Sequence, residues 1–431
     1  MKKIFSVLLF TIIFISKIFA QENIPYSRYG IGSLQPMQFQ STMGMGNLST
    51  AFQSDWMQNP SNPASYASLA DKSMVFDAAL QMRWNTLNDG SNSATFFNMQ
   101  PAYLGLGTMI KSGKKLRVGL GFSLLPYSKL SYNISQKSTS TDLPLVDKYA
   151  FTGSGATYKV QMATGVKYKN LSLGIQGGYM FGRLFYDSQV YYPDSSGTLG
   201  SEYYRIQNPG GFCWQGGLQY LIPLKKENKI VLGATYIGAT TLRTSESEVW
   251  RRFNSTGGSY QYLVDTVKYI SDTSGNMKIP SSFSVGVQWM NGRQWAVGAE
   301  FKQQDWSLFR NFNQADSLKK SWGLAVGGYF SPDPLSTQVL RKSIYKFGFN
   351  YGLDPIYLRN KQFNYYSFSG GVSIPFTFKA EENRPMLMFL HLNFETGSHG
   401  STSSGLVNES FFRFNFGVTI SGNWYQKRKF D

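Results

Sequence analysis

The stretch FRFNFGVTI at residues 412–420 has an apolar side chain at every second position, with arginine, asparagine, glycine or threonine in between. In an extended strand, successive side chains point to opposite faces, so this stretch has one apolar face and one polar face. The same alternation occurs at residues 158–162, 283–289 and 345–351. Repeated alternation of this kind predicts an all-β protein whose apolar faces meet either a core or lipid.

The composition favours contact of the apolar faces with lipid. The 431-residue chain has 16% aromatic residues, 43 glycines and only 16% charged residues, whereas about 25% of the residues in a typical globular domain are charged. A transmembrane β-barrel alternates lipid-facing and lumen-facing residues, which gives many aromatics and few charges without long apolar runs. A soluble sandwich or propeller would bury the apolar set, but lysine, arginine, glutamine and asparagine on the other face favour a barrel lumen.

The first 20 residues have the pattern of a secretory signal peptide. Lys2 and Lys3 precede a mostly apolar stretch at residues 4–15, and Ala20 is a small residue at the expected cleavage site. The stretch is shorter than the ~20 residues that a membrane-spanning helix needs. We therefore expect cleavage before Gln21 and insertion as a barrel in the outer membrane of a Gram-negative bacterium.

The spacing of the alternating runs predicts a transmembrane antiparallel β-barrel of about 14 strands over residues 71–431, since bacterial barrels have an even number. Tight turns are expected near residues 111–114 and 291–293. Short turns alternating with long polar loops match the periplasmic and outer ends of such barrels. The long loops are expected at about 133–146, 193–201, 251–277 and 396–409.

The N-terminal part of the mature chain, residues 21–70, has a different texture and is predicted to be a plug inside the barrel. It is rich in Ser, Asn, Gln, Met and Pro, and contains MGMGNLSTA at 43–51 and NPSNPASYASL at 59–69. Two Asn-Pro pairs within five residues impose turns, and paired glycines allow close backbone packing. The predicted plug and gating residues are Gly44, Gly46, Asn59, Pro60, Asn62, Pro63 and Ala64.

These residues carry a family resemblance. The stretch MGMGNLSTAF and the Asn-Pro-Ala at residues 62–64 resemble the plug of the FadL/TodX outer-membrane long-chain fatty acid transporters, although Ser65 and Tyr66 stand where that family has Gly-Leu. Residues 278–307 and 345–352 are similar to its later strands, and residues 412–431 to the closing strand of FadL-like barrels in Bacteroidota. The resemblance implies a plugged barrel for hydrophobic compounds that works without a cofactor.

Two further sets of residues are candidates for function. Lys159, Lys167 and Lys346 fall on polar strand faces by alternation, where they either meet the carboxylate of a ligand or line a polar wall. The last strand is rich in aromatic residues, which suits recognition by the barrel assembly machinery and closure against the first strand. Its predicted closing residues are Phe412, Phe414, Phe416 and Trp424.

Two functions remain open at this point. The first is passive uptake of long-chain fatty acids or aromatic hydrocarbons through the plugged barrel. The second is a non-transporting scaffold or shuttle, like the related PorV-type proteins, in a protein secretion or outer-membrane assembly complex. The basic net charge of +17 fits outer-membrane lipid and anionic lipopolysaccharide as partners, and the export signal argues against nucleic acid.

An enzyme is disfavoured, and no metal or cofactor is expected. The chain has two histidines, His391 and His399, and neither has an acidic partner at a recognisable spacing. Its one cysteine, Cys213, rules out a disulfide framework and a cysteine-rich zinc site.

Overall fold

The structure is a computed structural model that describes residues 22–37, 39–113, 115–138, 146–225, 227–380 and 384–423. The predicted signal peptide at residues 1–20 and the predicted closing residue Trp424 lie outside these residues.

Fourteen strands form one continuous sheet, and two of them are interrupted by a break of two residues. The strands are β1 (Ser73–Asn88), β2 (Ser93–Ser112), β3 (Leu116–Lys137), β4 (Lys148–Tyr168), β5 (Leu171–Tyr191), β6 (Gly200–Pro223), β7 (Asn228–Ile237 and Thr240–Thr256), β8 (Ser259–Ile279 and Ser282–Asn291), β9 (Trp295–Asp305), β10 (Lys320–Phe330), β11 (Ile344–Leu358), β12 (Lys361–Ala380), β13 (Arg384–Gly400) and β14 (Asn408–Asn423).

The sheet closes into an antiparallel barrel. Each strand pairs with the next along the chain, and β14 pairs with β1 from Asn408 opposite Asn88 to Asn423 opposite Ser73. Closure leaves the first and last strands without a free edge, as the interior of a membrane requires. The predicted transmembrane barrel of about 14 strands is confirmed.

The alternation that predicts the strands separates lipid-facing from interior side chains. On β8, Phe283, Val285, Val287 and Trp289 are exposed on the outside, whereas Gln288 between them is buried. On the closing strand, Phe412 and Phe416 are exposed and Asn415 is buried. In the described part of the chain, no helix is long and apolar enough to cross a membrane.

The prediction of a long polar loop at 251–277 is wrong. Strands β7 and β8 continue through this region as a hairpin that turns at Gly257 and Gly258, both with positive φ, between Thr256 and Ser259. Both faces of residues 259–276 are exposed to solvent. A strand with water on both faces needs no apolar alternation, so the sequence pattern there resembles that of a loop.

Residues 22–70 lie inside the barrel as a plug, which consists of short 3₁₀ helices and turns. The two-residue strand Ser33–Leu34 pairs with β3, and residues 39–52 are almost all buried. Among the described residues, the 3₁₀ helices are Pro25–Arg28, Met43–Met45, Pro63–Ser68, Asp194–Ser196, Trp306–Leu308 and Ser403–Gly405; a short α-helix, α1, is Val339–Lys342, and a further two-residue strand is Arg310–Asn311.

Candidate functional site

The second Asn-Pro pair starts the 3₁₀ helix Pro63–Ser68. Proline suits the first position of a helix because its fixed φ is helical and its missing N–H needs no partner there. Asn62 caps the helix, since its side-chain oxygen accepts a hydrogen bond from Ala64 N at 3.1 Å. Its amide nitrogen donates to Thr50 O at 2.6 Å, so one side chain holds two turns of the plug together.

Asn62→Ala is expected to destabilise the protein by about 2 kcal/mol, because it removes a helix cap and leaves the buried Thr50 carbonyl without this donor. Heat unfolding of the detergent-solubilised protein would measure the change. The matched control is Ser68→Ala in the same helix, since Ser68 Oγ has no hydrogen-bond partner among the described residues. Equal effects of the two substitutions would contradict this account of Asn62.

Wall side chains hold the middle of the plug by its backbone. Glu300 on β9 accepts hydrogen bonds from Ser49 N at 2.7 Å and Thr50 N at 2.8 Å. Gln219 on β6 donates to Thr50 O at 3.0 Å and Phe52 O at 3.1 Å. Buried backbone groups outside regular secondary structure still need hydrogen-bond partners. The side chains of the wall therefore supply the donors and acceptors that a helix or a sheet would otherwise provide.

Gln40 connects the plug to three further strands. Its backbone carbonyl accepts from Lys346 Nζ at 2.5 Å, and its side-chain oxygen accepts from Asn393 Nδ2 at 2.6 Å. Its backbone N–H donates to the hydroxyl of Tyr103, which in turn donates to Asp77 Oδ1 at 2.8 Å. The predicted ligand candidate Lys346 therefore contacts the plug itself.

Glycines on the wall let the plug backbone approach the strands directly. A Cβ atom built on any of six strand glycines would lie 1.9 to 2.6 Å from a plug atom, far inside the contact distance of about 3.5 Å for two carbon atoms. The six are Gly119, Gly165, Gly174, Gly217, Gly233 and Gly348. The predicted plug residues Gly46, Asn62, Pro63 and Ala64 are among the groups they face. The interior surface of the wall is therefore fitted to this one position of the plug.

A cavity of about 450 Å³ lies between two parts of the plug, residues 24–37 and residues 47–61, and the barrel wall. The plug residues Asn47, Ser49 and Ser61 line it, as do apolar side chains such as Ile31 and Trp306. Its wall also carries six charged side chains and one histidine: Arg83, Glu300, Lys302, Asp354, Glu395, Arg413 and His399. The lining therefore combines apolar side chains with a set of charged ones, whereas a pocket for a hydrocarbon is expected to contain few polar groups.

A buried charge cluster fixes the start of the described chain to the barrel. Arg83 contacts Glu409 at 2.6 Å and Glu22 at 3.5 Å, and Lys129 contacts Glu22 at 2.6 Å. His399 Nε2 lies 2.9 Å from Glu409 Oε2. Spacing in the sequence does not reveal this acidic partner of His399, because the β13–β14 register is what places the two residues directly opposite each other.

Tyr26 adds a second attachment at this end. Its hydroxyl donates to Val407 O at 2.6 Å and accepts from Val407 N at 2.9 Å. Burial raises the pKa of Tyr26 to about 12, so the hydroxyl keeps the proton that it donates.

The wall is incomplete between β2 and β3, and the plug covers the opening. Pairing of these strands ends at Leu104 opposite Leu124, and Pro101 and Pro126 lie just beyond. Proline offers no N–H to continue a ladder. Beyond Pro126, the two-residue strand Ser33–Leu34 of the plug pairs with β3 at Ser128 and Lys129. Gln35 N donates to Tyr127 O at 2.8 Å.

The other predicted site residues have the following positions. Gly44, Asn59 and Pro60 are buried in the plug, and Lys159 is buried in the barrel interior. Lys167 is half-buried near the end of β4. Neither these two lysines nor Lys346 belongs to the residues that line the cavity of about 450 Å³. Phe414 lies on the outward side of β14 with Phe412 and Phe416, opposite Met82 of β1.

His391 belongs to a buried chain of hydrogen bonds. Its Nδ1 lies 2.6 Å from Ser373 Oγ and its Nε2 2.8 Å from Thr419 Oγ1. All three side chains are fully buried, which leaves no space for a substrate. Among the described residues, no group of three or more His, Cys, Asp or Glu is placed to hold a metal ion.

Comparisons with known proteins agree with this geometry. The BamG family model matches residues 1–431. The chain resembles a Pseudomonas aeruginosa FadL homologue at 13% identity and a TM-score of 0.56, over 91% of this chain and 100% of that one. For the Ralstonia pickettii toluene transporter TbuX, the identity is 14% and the TM-score 0.53, over 90% and 98% of the two chains.

A third structure, the Pseudomonas putida toluene transporter TodX, gives 16% identity and a TM-score of 0.53, over 89% of this chain and 97% of that one. No curated protein matches the sequence. At these identities the three structures show a shared fold, which confirms the predicted resemblance to FadL-like outer-membrane barrels. The family match covers the whole chain, and the chain belongs to the BamG family.

Proposed function

We propose that this protein is a non-transporting component of an outer-membrane assembly complex, associated with the barrel assembly machinery that the name of its family indicates. The observation that carries the proposal is the fixed plug. A scaffold can work with a plug that stays in place, whereas a channel needs a plug that can move. No step in this role requires catalysis or a cofactor.

The energy of attachment argues against a mobile plug. At least twelve hydrogen bonds join wall side chains to residues 40–69 of the plug. At roughly 1 kcal/mol each, breaking all of them costs roughly 12 kcal/mol before any packing is lost. A ligand bound with micromolar affinity supplies about 8 kcal/mol, which is too little to displace the plug as a unit.

Co-purification tests the proposal. A tagged copy of the full chain, extracted from the outer membrane in mild detergent, is expected to bring down subunits of the barrel assembly machinery. Depletion of the protein is expected to lower the amount of folded outer-membrane proteins. Isolation of the protein alone, together with unchanged folding of those proteins after depletion, would rule the role out.

Uptake of hydrophobic molecules is the second candidate, and the opening between β2 and β3 favours it. In this role the plug residues Gly44 to Ala64 would gate the barrel, Lys159, Lys167 or Lys346 would meet a ligand carboxylate, and the ligand would leave sideways into the bilayer. Cells lacking the protein are then expected to take up radiolabelled oleate or toluene more slowly. Unchanged uptake would leave the assembly role as the better account.

The route to the membrane is part of the same proposal. Export requires that residues 1–20 act as a signal peptide, and the mature protein is expected to start at Gln21. Its surface would then contact outer-membrane lipid and lipopolysaccharide. N-terminal sequencing of the protein from outer membranes checks the cleavage site.

A further inference from the structure

The two ends of the barrel differ in charge. At the end with the short turns, the described residues 71–73, 111–117, 167–171, 223–229, 291–295 and 331–343 carry eleven basic residues and three acidic ones, and Asp55 of the plug is a fourth acid there. We call these basic residues the basic rim: Lys72, Lys111, Lys115, Arg117, Lys167, Lys169, Lys225, Lys229, Arg293, Arg341 and Lys342. Two of the acids are already paired, Asp71 with Arg117 and Asp55 with Arg293.

The opposite end is nearly neutral. Its strand ends and connections carry fifteen basic and thirteen acidic residues in the described parts of 85–98, 128–155, 183–210, 240–278, 305–320, 354–364 and 396–411. The basic rim is therefore a property of one end. Four of the five described connections at this end are turns of two to four residues, which assigns it to the periplasmic side because transmembrane barrels have their short turns there.

Apolar side chains are exposed beside the rim. In the β10–β11 connection, Leu335 is 89% exposed and Leu340 is 72% exposed, next to Arg341. Tyr168 is also exposed, with Lys169 Nζ 5.6 Å from its ring centre. Apolar and basic side chains together are typical of segments that lie at a membrane surface, where the first enter the acyl region and the second meet phosphates.

We propose that the basic rim binds the anionic phospholipid headgroups of the periplasmic leaflet, an inference that goes beyond the proposed assembly function. The distribution of the charges favours lipid over an acidic protein. Basic residues lie in all five described connections at this end, between β2 and β3, β4 and β5, β6 and β7, β8 and β9, and β10 and β11. Positive charge spread over five connections fits the lipid that surrounds the barrel, whereas a protein partner would be matched by a patch on one side.

Native mass spectrometry of the detergent-purified mature protein tests this, with phosphatidylglycerol and phosphatidylcholine as the probes. The wild-type protein is expected to retain more phosphatidylglycerol than phosphatidylcholine. In the variant K111Q/K115Q/K169Q/K225Q, the ratio of bound phosphatidylglycerol to bound phosphatidylcholine is expected to fall about tenfold, since each cation near the headgroups adds to the attraction. The control K137Q/K268Q/K278Q/K320Q removes four charges from the opposite end and is expected to behave like wild type.

Three results would overturn the proposal: no preference in wild type, an unchanged preference in the rim variant, or an equal loss in both variants. If wild type shows no preference while the rim variant loses a co-purifying protein, the rim binds an acidic protein instead. The lipid measurement uses the isolated protein, so its failure is distinct from a failure of the assembly role, which co-purification tests.

Discussion

Gly348→Val is expected to destabilise the protein by about 3 kcal/mol and to expose the plug to protease. A Cβ atom at this position on β11 would lie 1.9 Å from Gly46 N and 2.2 Å from the carbonyl carbon of Met45. Both neighbours are backbone atoms and cannot rotate away, so the plug must shift or the strand must bend. Thermal unfolding in detergent would show the loss, and chymotrypsin would cut at Phe52 or Tyr66, which are buried in the plug.

Gly177→Val provides the matched control. Gly177 also lies in a strand, β5, but a Cβ there meets nothing within 4 Å among the described residues. Valine suits a strand, so this variant is expected to keep the melting temperature and the protease resistance of wild type. If Gly348→Val kept a protected plug, the wall would not be fitted to one plug position, and the argument against a mobile plug would lose its main support.

The sequence predicts the barrel because lipid imposes a rule on every spanning strand. A side chain such as Phe283 must be apolar when it meets acyl chains, while Gln288 on the other face is free to be polar. Strand number, closure and the plug follow from this pattern and from the family resemblance. The pattern disappears where no face meets lipid, which is why the hairpin around Gly257 resembles a loop in sequence.

The contacts inside the barrel are much harder to predict. The alternation of polar and apolar residues places Lys346 and Glu300 on the interior face, but it does not predict that both side chains contact the plug backbone. The wall glycines appear in the sequence only as a high glycine content, since their role depends on which plug atom lies opposite. The contact between His399 and Glu409 can be predicted once the register of the β13–β14 hairpin is known, because that register sets the two residues opposite each other.

Arg83→Met is expected to cost about 3 kcal/mol of folding free energy, because it removes the cation shared by the two buried carboxylates of Glu22 and Glu409 and leaves each of them with one remaining partner. The side chains of Arg83, Glu22 and Glu409 are 5%, 3% and 0% exposed. Methionine fills much of the volume of arginine, so the loss reports on charge more than on packing. Guanidinium unfolding of the detergent-solubilised protein, followed by tryptophan fluorescence, would measure it.

The exposed pair of Arg252 and Asp265 is the control. Its Nη2 to Oδ2 distance of 2.5 Å is as short as the 2.6 Å between Arg83 and Glu409, but its side chains are 52% and 40% exposed. Water compensates a lone charge at such a site, so Arg252→Met is expected to leave the unfolding midpoint unchanged. The double variant Arg83→Met/Glu409→Gln is expected to recover part of the loss, since it also removes one of the two buried carboxylates. If Arg83→Met and Arg252→Met had the same effect, burial would not decide the strength of these pairs, and the cluster would not be what holds the start of the described chain in the barrel.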